Sequence, residues 1–141
     1  MKELIETLHA GKHSLVVGGR SVSTYNGRGV ADLSRLLHES PERLIGAPIA
    51  DKVVGKGAAA LMVSARVGEV YADVVSQPAL ELLQSHGIKV TYATLVSHIV
   101  NRAGTGMCPL ESRCLPCVTV EECLVQIKAF VDEMKLKRQR N

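Results

Sequence analysis

The stretch from residue 69 to residue 96 constrains the fold more than any other part of the chain. Residues 69–75 (EVYADVV) have the valine-rich pattern of a buried strand, and residues 88–96 predict a second strand. Between them, SQPALELLQSHG predicts a helix with Ser76 as its N-cap and Gly87 as its C-cap. A strand, a helix and a strand in this order imply two parallel strands joined by a right-handed crossover.

The segments before this crossover predict a hairpin and several helices. A glycine turn separates residues 14–17 from residues 21–25, which favours an antiparallel hairpin. Apolar residues recur at helical spacing over residues 2–9 and 30–37, and again over residues 120–135 at the other end of the chain. We therefore expect one α/β domain over residues 1–141, with three layers: a mixed sheet and helices on both of its faces.

A further helix is predicted between the hairpin and the crossover. Residues 41–50 read as a loop or a short helix, and Asp51 then stands where an N-cap is expected, ahead of KVVGKGAAALMVSA. On such a helix Lys52 and Lys56 are four residues apart and share one face. That face either contacts phosphate or is simply solvated.

The composition predicts an aliphatic core in a soluble protein. Hydrophobic residues make up 46% of the 141 residues, whereas aromatic residues make up 3%, so Val, Leu, Ile and Ala must fill the core. No segment approaches the roughly 20 apolar residues of a membrane span, and the amino terminus lacks a signal-peptide pattern. We expect a cytoplasmic protein, with no membrane partner, whose cysteines are thiols or metal ligands rather than structural disulfides.

Three segments together resemble a known family. They are ADKVVGKGAAAL, SQPALELLQSHGI and NRAGTGMCPLE, most specifically DKVVGK and CPLE. The chain resembles, over about residues 2 to 111, a family of small uncharacterised prokaryotic proteins with a cytidine-deaminase-like fold. The resemblance implies that fold here, with a carboxy-terminal segment (residues 112–141) outside the family pattern.

The zinc-binding motifs of cytidine deaminases are absent from this sequence. Those enzymes place His or Cys, then Glu two residues later, on one helix and Pro-Cys-x-x-Cys on the next. Here the two positions read Val53-Val54-Gly55-Lys56 and Gln77-Pro78-Ala79-Leu80, and none of the five histidines has a Glu two residues after it. We therefore expect no metal at the deaminase position and no zinc-dependent deamination.

Without the zinc ligands, the resemblance still implies a ligand-binding site where two helices begin. In that fold the amino termini of two helices converge beside the central strands and offer unpaired N–H groups to an anion. The implied ligand is a nucleotide or another phosphorylated small molecule, with the glycine loop at residues 101–106 closing over it or forming an ordinary turn. The predicted ligand-binding residues are Asp51, Lys52, Lys56, Ser76, Gln77, Asn101, Arg102, Thr105 and Cys108.

The four cysteines support a second hypothesis, a metal- or redox-responsive regulator. Their spacing is C-x5-C-x2-C-x5-C, formed by Cys108, Cys114, Cys117 and Cys123. The sequence leaves open free thiols, a zinc or iron–sulfur site, and a disulfide of the Cys-x-x-Cys kind. Cys108 is also a candidate nucleophile, with His86 or His98 as its base if the fold brings them together.

The charge pattern excludes one class of partner and leaves another open. The net charge is +3, and part of it lies in the terminal KLKRQRN, where cations suit the carboxyl end of a helix. No aromatic residues are interleaved for base stacking, so we expect no nucleic-acid partner. A homodimer through the exposed edge of the hairpin is expected instead, and the sequence names no cofactor.

Overall fold

The computed structural model describes residues 1–27, 30–101 and 103–140, with only the backbone of Arg140. The helices are α1 (Lys2–Ala10), α2 (Ala31–Glu39), α3 (Lys56–Ala65), α4 (Gln77–Ser85), α5 (Pro109–Cys114) and α6 (Val120–Arg140). The strands are β1 (Leu15–Val17), β2 (Ser23–Tyr25), β3 (Pro48–Val54), β4 (Glu69–Ser76) and β5 (Lys89–Val96), and a short 3-10 helix spans Pro41–Arg43.

The five strands form one mixed sheet in the order β2-β1-β3-β4-β5. Strand β1 is antiparallel to both β2 and β3, whereas β3, β4 and β5 are parallel to one another. The predicted hairpin and the predicted strand–helix–strand crossover are therefore confirmed. So is a mixed sheet accompanied by helices.

Helices cover the two faces of the sheet unequally. On one face, Leu4 and Leu8 of α1 pack against Val16 of β1, together with residues of β3 and β4. On the other face, Leu15 and Val17 join a much larger core with residues of α2, α3, α4, α5 and α6. This core consists mainly of Val, Leu, Ile and Ala, as the composition predicts.

The two parallel crossovers run in the same direction along the sheet. The chain passes from β3 through α3 to β4, and from β4 through α4 to the adjacent β5. Helices α3 and α4 contribute to the same core, so both lie on one face. In doubly wound folds, ligands bind where successive crossovers diverge to opposite faces, and these two crossovers create no such point.

The predicted helix starting at Asp51 is wrong. Residues 48–54 form strand β3, which pairs with both β1 and β4, and α3 begins only at Lys56 with Gly55 as its N-cap. Hydrogen bonds on both sides of this short, valine-containing run outweigh its helix-like pattern. Consequently Asp51 is not an N-cap, and Lys52 and Lys56 do not share a helix face.

Small residues on α3 allow another helix to approach closely. A Cβ atom at Gly57 would lie 2.8 Å from a side-chain atom of Leu110 and 3.6 Å from the Sγ atom of Cys114, both on α5. The small residues of α3 thus allow α5, a short helix that the sequence did not predict, to pack closely against it. Among the described residues, no helix is both long enough and apolar enough to cross a membrane.

Candidate functional site

The junction of the α3 and α4 starts holds a carboxyl group that the protein itself supplies. Glu111, on α5, is 2% exposed. Its Oε1 atom accepts hydrogen bonds from the backbone N–H of Lys56 at 3.0 Å and from the hydroxyl of Ser76 at 3.2 Å. Its Oε2 atom accepts one from the backbone N–H of Ile99 at 3.0 Å. Of the donors at the two helix starts, the first N–H of α3 and the hydroxyl of Ser76 are therefore paired with Glu111.

The neighbours of Glu111 are fitted to its presence. A Cβ atom at Gly55 would lie 2.8 Å from Oε2, so a larger residue there would collide with the carboxyl group. Ser76 also caps α4 as predicted, because its Oγ atom accepts the backbone N–H of Ala79 at 3.3 Å. The hydroxyl of Ser76 is thus used both as a donor and as an acceptor within the protein.

Three further predicted ligand-binding residues, Lys56, Lys52 and Gln77, are placed differently from one another. The ammonium group of Lys56 donates to the backbone carbonyls of Leu115 at 3.1 Å and Cys117 at 2.6 Å, just beyond the end of α5. Lys52 is exposed on β3. Gln77 is also exposed, and its amide donates to Glu81 one turn further along α4 at 3.0 Å.

The predicted closing loop is folded on itself. Asn101 and Thr105 form two hydrogen bonds with each other, at 3.0 and 3.1 Å, and the backbone N–H of Asn101 donates to Gly106. Arg102 lies outside the described residues. Cys108 is the N-cap of α5, and its N–H donates to the carbonyl of Ile99 at 2.7 Å, which ties the loop to the junction.

Asp51 lies within the sheet, between Leu15 on β1 and Ala72 on β4. The pKa of its carboxyl group is raised to about 7, mainly by burial; the backbone N–H groups of Val53 and Lys52 oppose the shift, and the charge of Asp73 adds a smaller increase. Asp73 in turn bonds His9 Nε2 at 2.7 Å and receives the hydroxyl of Tyr71 at 2.7 Å.

Sequence reasoning missed this hydrogen-bonded group of Asp73, Tyr71 and His9. The available signal was the spacing of Tyr71 and Asp73, two residues apart on one strand and therefore on one face. Burial, followed by the hydrogen bond to Asp73, raises the pKa of Tyr71 to about 12, so the phenol stays protonated at neutral pH.

Three of the four cysteines lie close together where α5 leads into α6. Cys114 and Cys123 are buried, Cys117 is partly buried, and all four cysteines are free thiols. Burial, then the neighbouring Cys123 and Cys117, raises the pKa of Cys114 to about 12. Burial likewise raises the pKa of Cys123. Within the part of the chain that the structure describes, no three potential ligands are arranged to hold a metal ion.

Two cavities lie away from the helix-start junction. One, of about 490 Å³, lies beside the end of α3 and the segment entering α6. The other, of about 550 Å³, is a groove between α2 and α6 that we name the α2–α6 groove. Its charged lining residues are Arg35, Lys128, Lys135 and Arg138, opposed by Glu39 and Asp132, with His38 alongside. None of the predicted ligand-binding residues that the structure describes lines either cavity.

A family model described as TM1506, a domain of unknown function (DUF1893), matches residues 3–131. The chain belongs to the DUF1893 family. This confirms the resemblance to an uncharacterised family, but the match extends past residue 111, so residues 112–131 were wrongly placed outside the family pattern. No curated protein matches the sequence.

A crystal structure of a DUF1893 family protein (TM1506) from Thermotoga maritima has the same fold. It superposes with a TM-score of 0.84 at 23% identity, covering 91% of this chain and 87% of that chain. At this identity the match shows shared architecture and says nothing about activity.

Proposed function

We propose that this DUF1893 protein binds a small phosphorylated molecule of the nucleotide class in the α2–α6 groove. The observation that carries the proposal is a cavity of about 550 Å³ with an excess of positive charge on its rim. Binding sites for small molecules typically measure about 300–1,000 Å³. Four cationic side chains and two carboxylates line the groove, so its net charge attracts anions.

The lining of the groove suits both the apolar base and the phosphate group of such a ligand. Leu61, Leu124 and Ile127 provide an apolar floor, on which a base or another apolar group can pack. At the rim, Arg35 is held by Asp32 at 3.1 Å, which restricts the orientation of its guanidinium group. A guanidinium group matches the geometry of phosphate oxygens and binds them with two parallel hydrogen bonds.

The helix-start junction is the competing location for the same class of ligand. Lys52 and Gln77 are exposed there and remain available to a ligand. Against it, Glu111 accepts the backbone N–H groups of Lys56 and Ile99, and the ammonium group of Lys56 is engaged with backbone carbonyls. We therefore favour the groove, and variants can separate the two locations.

Thermal-shift measurements with adenosine and guanosine phosphates, and with inorganic phosphate, test this proposal. We expect a nucleotide to raise the Tm by about 5 °C or more at roughly a hundred times its Kd. Lys128→Ala combined with Arg138→Ala should weaken binding about tenfold or more, since each cation removed is a charged hydrogen-bond donor. Lys2→Ala on α1 removes a charge outside the groove and serves as the control.

Two results would count against the groove. If Lys52→Ala with Gln77→Ala abolishes binding while the groove variants retain it, the ligand lies at the junction. If no nucleotide or phosphate changes the Tm, the proposed ligand class is wrong.

We also infer that the scaffold is cytidine-deaminase-like, without the zinc chemistry. The antiparallel hairpin followed by two parallel crossovers supports this, together with the resemblance of the CPLE and DKVVGK segments. At the two helix starts, Gly55, Lys56, Gln77, Pro78 and Ala79 supply no zinc ligand. We expect no zinc-dependent deamination of cytidine or adenosine.

A second candidate function, a thiol-based redox response, rests on the proximity of Cys114 and Cys117. The backbone N–H of Cys117 donates to the carbonyl of Cys114 at 3.0 Å, a turn geometry that keeps their Cα atoms within about 7 Å. Hydrogen peroxide would oxidise the pair: the two thiols release two protons and two electrons, an S–S bond forms, and the peroxide leaves as two waters.

Mass spectrometry of peroxide-treated protein tests this candidate. We expect the mass of the protein to fall by two hydrogens, and the linked peptide to contain Cys114 and Cys117. The oxidation should be slow, because buried thiols with a raised pKa react slowly. Cys117→Ser should abolish the link and Cys108→Ser should retain it. Unchanged thiol content after prolonged treatment would eliminate this function.

A further inference from the structure

Strand β5 is an uncovered edge of the sheet. It pairs with β4 on one side, and each of its eight residues is exposed or only partly buried. Residues 91–95 are all exposed, including Tyr92 at 41% and Leu95 at 40%. An edge strand of this kind presents a row of unpaired N–H and C=O groups to any strand that can align with it.

The sequence of β5 contains few of the features that keep sheet edges apart. KVTYATLV has no proline and no glycine, and its one charge is Lys89 at the beginning of the strand. Lys89 lies opposite Glu69 of β4, so this charge has a neighbour of opposite sign within the same chain. The rest of the strand is β-branched, aromatic or apolar, which favours pairing with another strand.

We propose that two copies of the chain associate through β5, antiparallel, around a two-fold axis at Ala93. A two-fold antiparallel pair places residues of the same strand face opposite each other, so the axis must pass through a residue position. With the axis at Ala93, Tyr92 faces the partner's Thr94 and Val90 faces the partner's Val96. These are aromatic–β-branched and aliphatic pairs, which stabilise neighbouring strands.

This register also separates the charges. The two copies of Lys89 lie at opposite ends of the pair, about 27 Å apart at roughly 3.4 Å per residue. That separation exceeds the Debye length of about 8 Å at physiological ionic strength, so their repulsion is screened. An axis at Tyr92 would instead place each Lys89 opposite the partner's Leu95, which makes that register less favourable.

The hairpin edge, which the sequence suggested for a homodimer, offers a shorter strand for pairing than β5 does. Strand β2 has three residues, Ser23–Tyr25, against eight in β5. A short edge supplies fewer backbone hydrogen bonds to a partner. The β5 edge therefore provides the longer uninterrupted surface for a second copy.

Sedimentation and cross-linking on the full chain test the proposal. We expect a species of twice 15.2 kDa for the native sequence. Ala93→Lys places two like charges together on the axis and should weaken the dimer tenfold or more, with the circular dichroism spectrum unchanged. A monomer at every concentration up to about 100 μM, where even weak specific complexes assemble, would overturn the proposal.

A cysteine placed on the axis checks the register. Ala93→Cys should form a disulfide between copies under mild oxidation, because Cα atoms of directly paired antiparallel residues are about 4.5–5.5 Å apart, within disulfide range. Thr91→Cys lies off the axis, so its two copies are about 14 Å apart and should not cross-link. Peptide mapping separates these links from those of native cysteines. Cross-linking of Thr24→Cys on β2, but not of Ala93→Cys, would show a hairpin dimer and overturn the proposal.

Discussion

At the scale of single residues, Asp51 makes the stability of the protein depend on pH. Its folded-state pKa is about 7, compared with an ordinary value of 3.8, because burial disfavours the carboxylate. As the pH rises from about 4 towards 7, the unfolded chain loses this proton first. The folded state is therefore progressively destabilised relative to the unfolded state, and above pH 7 no further loss occurs.

The substitution Asp51→Asn should remove this dependence. The amide keeps an oxygen that can accept the backbone N–H of Val53, which Asp51 accepts at 3.3 Å, but it carries no ionisable proton. We expect the variant to gain stability relative to the native protein between pH 4.5 and pH 7, then to keep a constant advantage. Urea unfolding at several pH values measures this.

The exposed Glu6 on α1 provides the matched control. Glu6→Gln removes a carboxyl group at the surface and should give a small, nearly pH-independent difference in the free energy of unfolding. A stability difference for Asp51→Asn that is flat from pH 4.5 to pH 8 would show that Asp51 ionises normally in the folded protein.

At the scale of elements, Glu111 holds several pieces of the fold together. Its carboxyl group joins α5 to the start of α3, the end of β4 and the segment after β5. Lys56, at the start of α3, strengthens the contact between α3 and α5, because its ammonium group donates hydrogen bonds to carbonyls just beyond α5. Together, these contacts fix the position of a helix of only six residues.

Removing the Glu111 carboxyl group should therefore cost much more than an ordinary substitution. In Glu111→Ala, the N–H groups of Lys56 and Ile99 lose their acceptor in a partly buried environment, at about 1–3 kcal/mol each. We expect a loss of about 3 kcal/mol or more in the free energy of unfolding, measured with urea. Hydrogen exchange should also show faster exchange at these two amides.

Glu122→Ala is the comparison for this prediction. Glu122 is exposed and accepts the backbone N–H of Val118 at 3.3 Å, so its removal should cost less than about 1 kcal/mol. Equal losses for Glu122→Ala and Glu111→Ala would mean that the buried network contributes no special stability.

The same elements show what the sequence could and could not predict. The crossover, the hairpin and the Ser76 cap follow from local patterns, since periodicity and capping residues act over a few positions. The boundary between β3 and α3 was missed because Val53 and Val54 fit either element, and pairing with two distant strands decided it. Glu111 lies 55 residues from Lys56 and 35 from Ser76, so no local pattern reveals their contact.

At the scale of the whole molecule, the sheet is covered asymmetrically. Helix α1 packs on β1, β3 and β4 on one face, while the other helices share the opposite face. Strand β5 is left as an exposed edge, and the α2–α6 groove opens away from the α1 face. The proposed dimer and the proposed ligand site therefore use different parts of the molecule, so losing one should leave the other intact.

The buried Glu111 also sets what the helix-start junction can sense. An acceptor attached to the same chain competes at an effective concentration on the order of millimolar or higher. A free anion must compete with this tethered carboxyl group for the N–H of Lys56 and the hydroxyl of Ser76, which weakens its binding there. The acceptor at this position is therefore inherited with the amino-acid sequence and does not have to be acquired from solution.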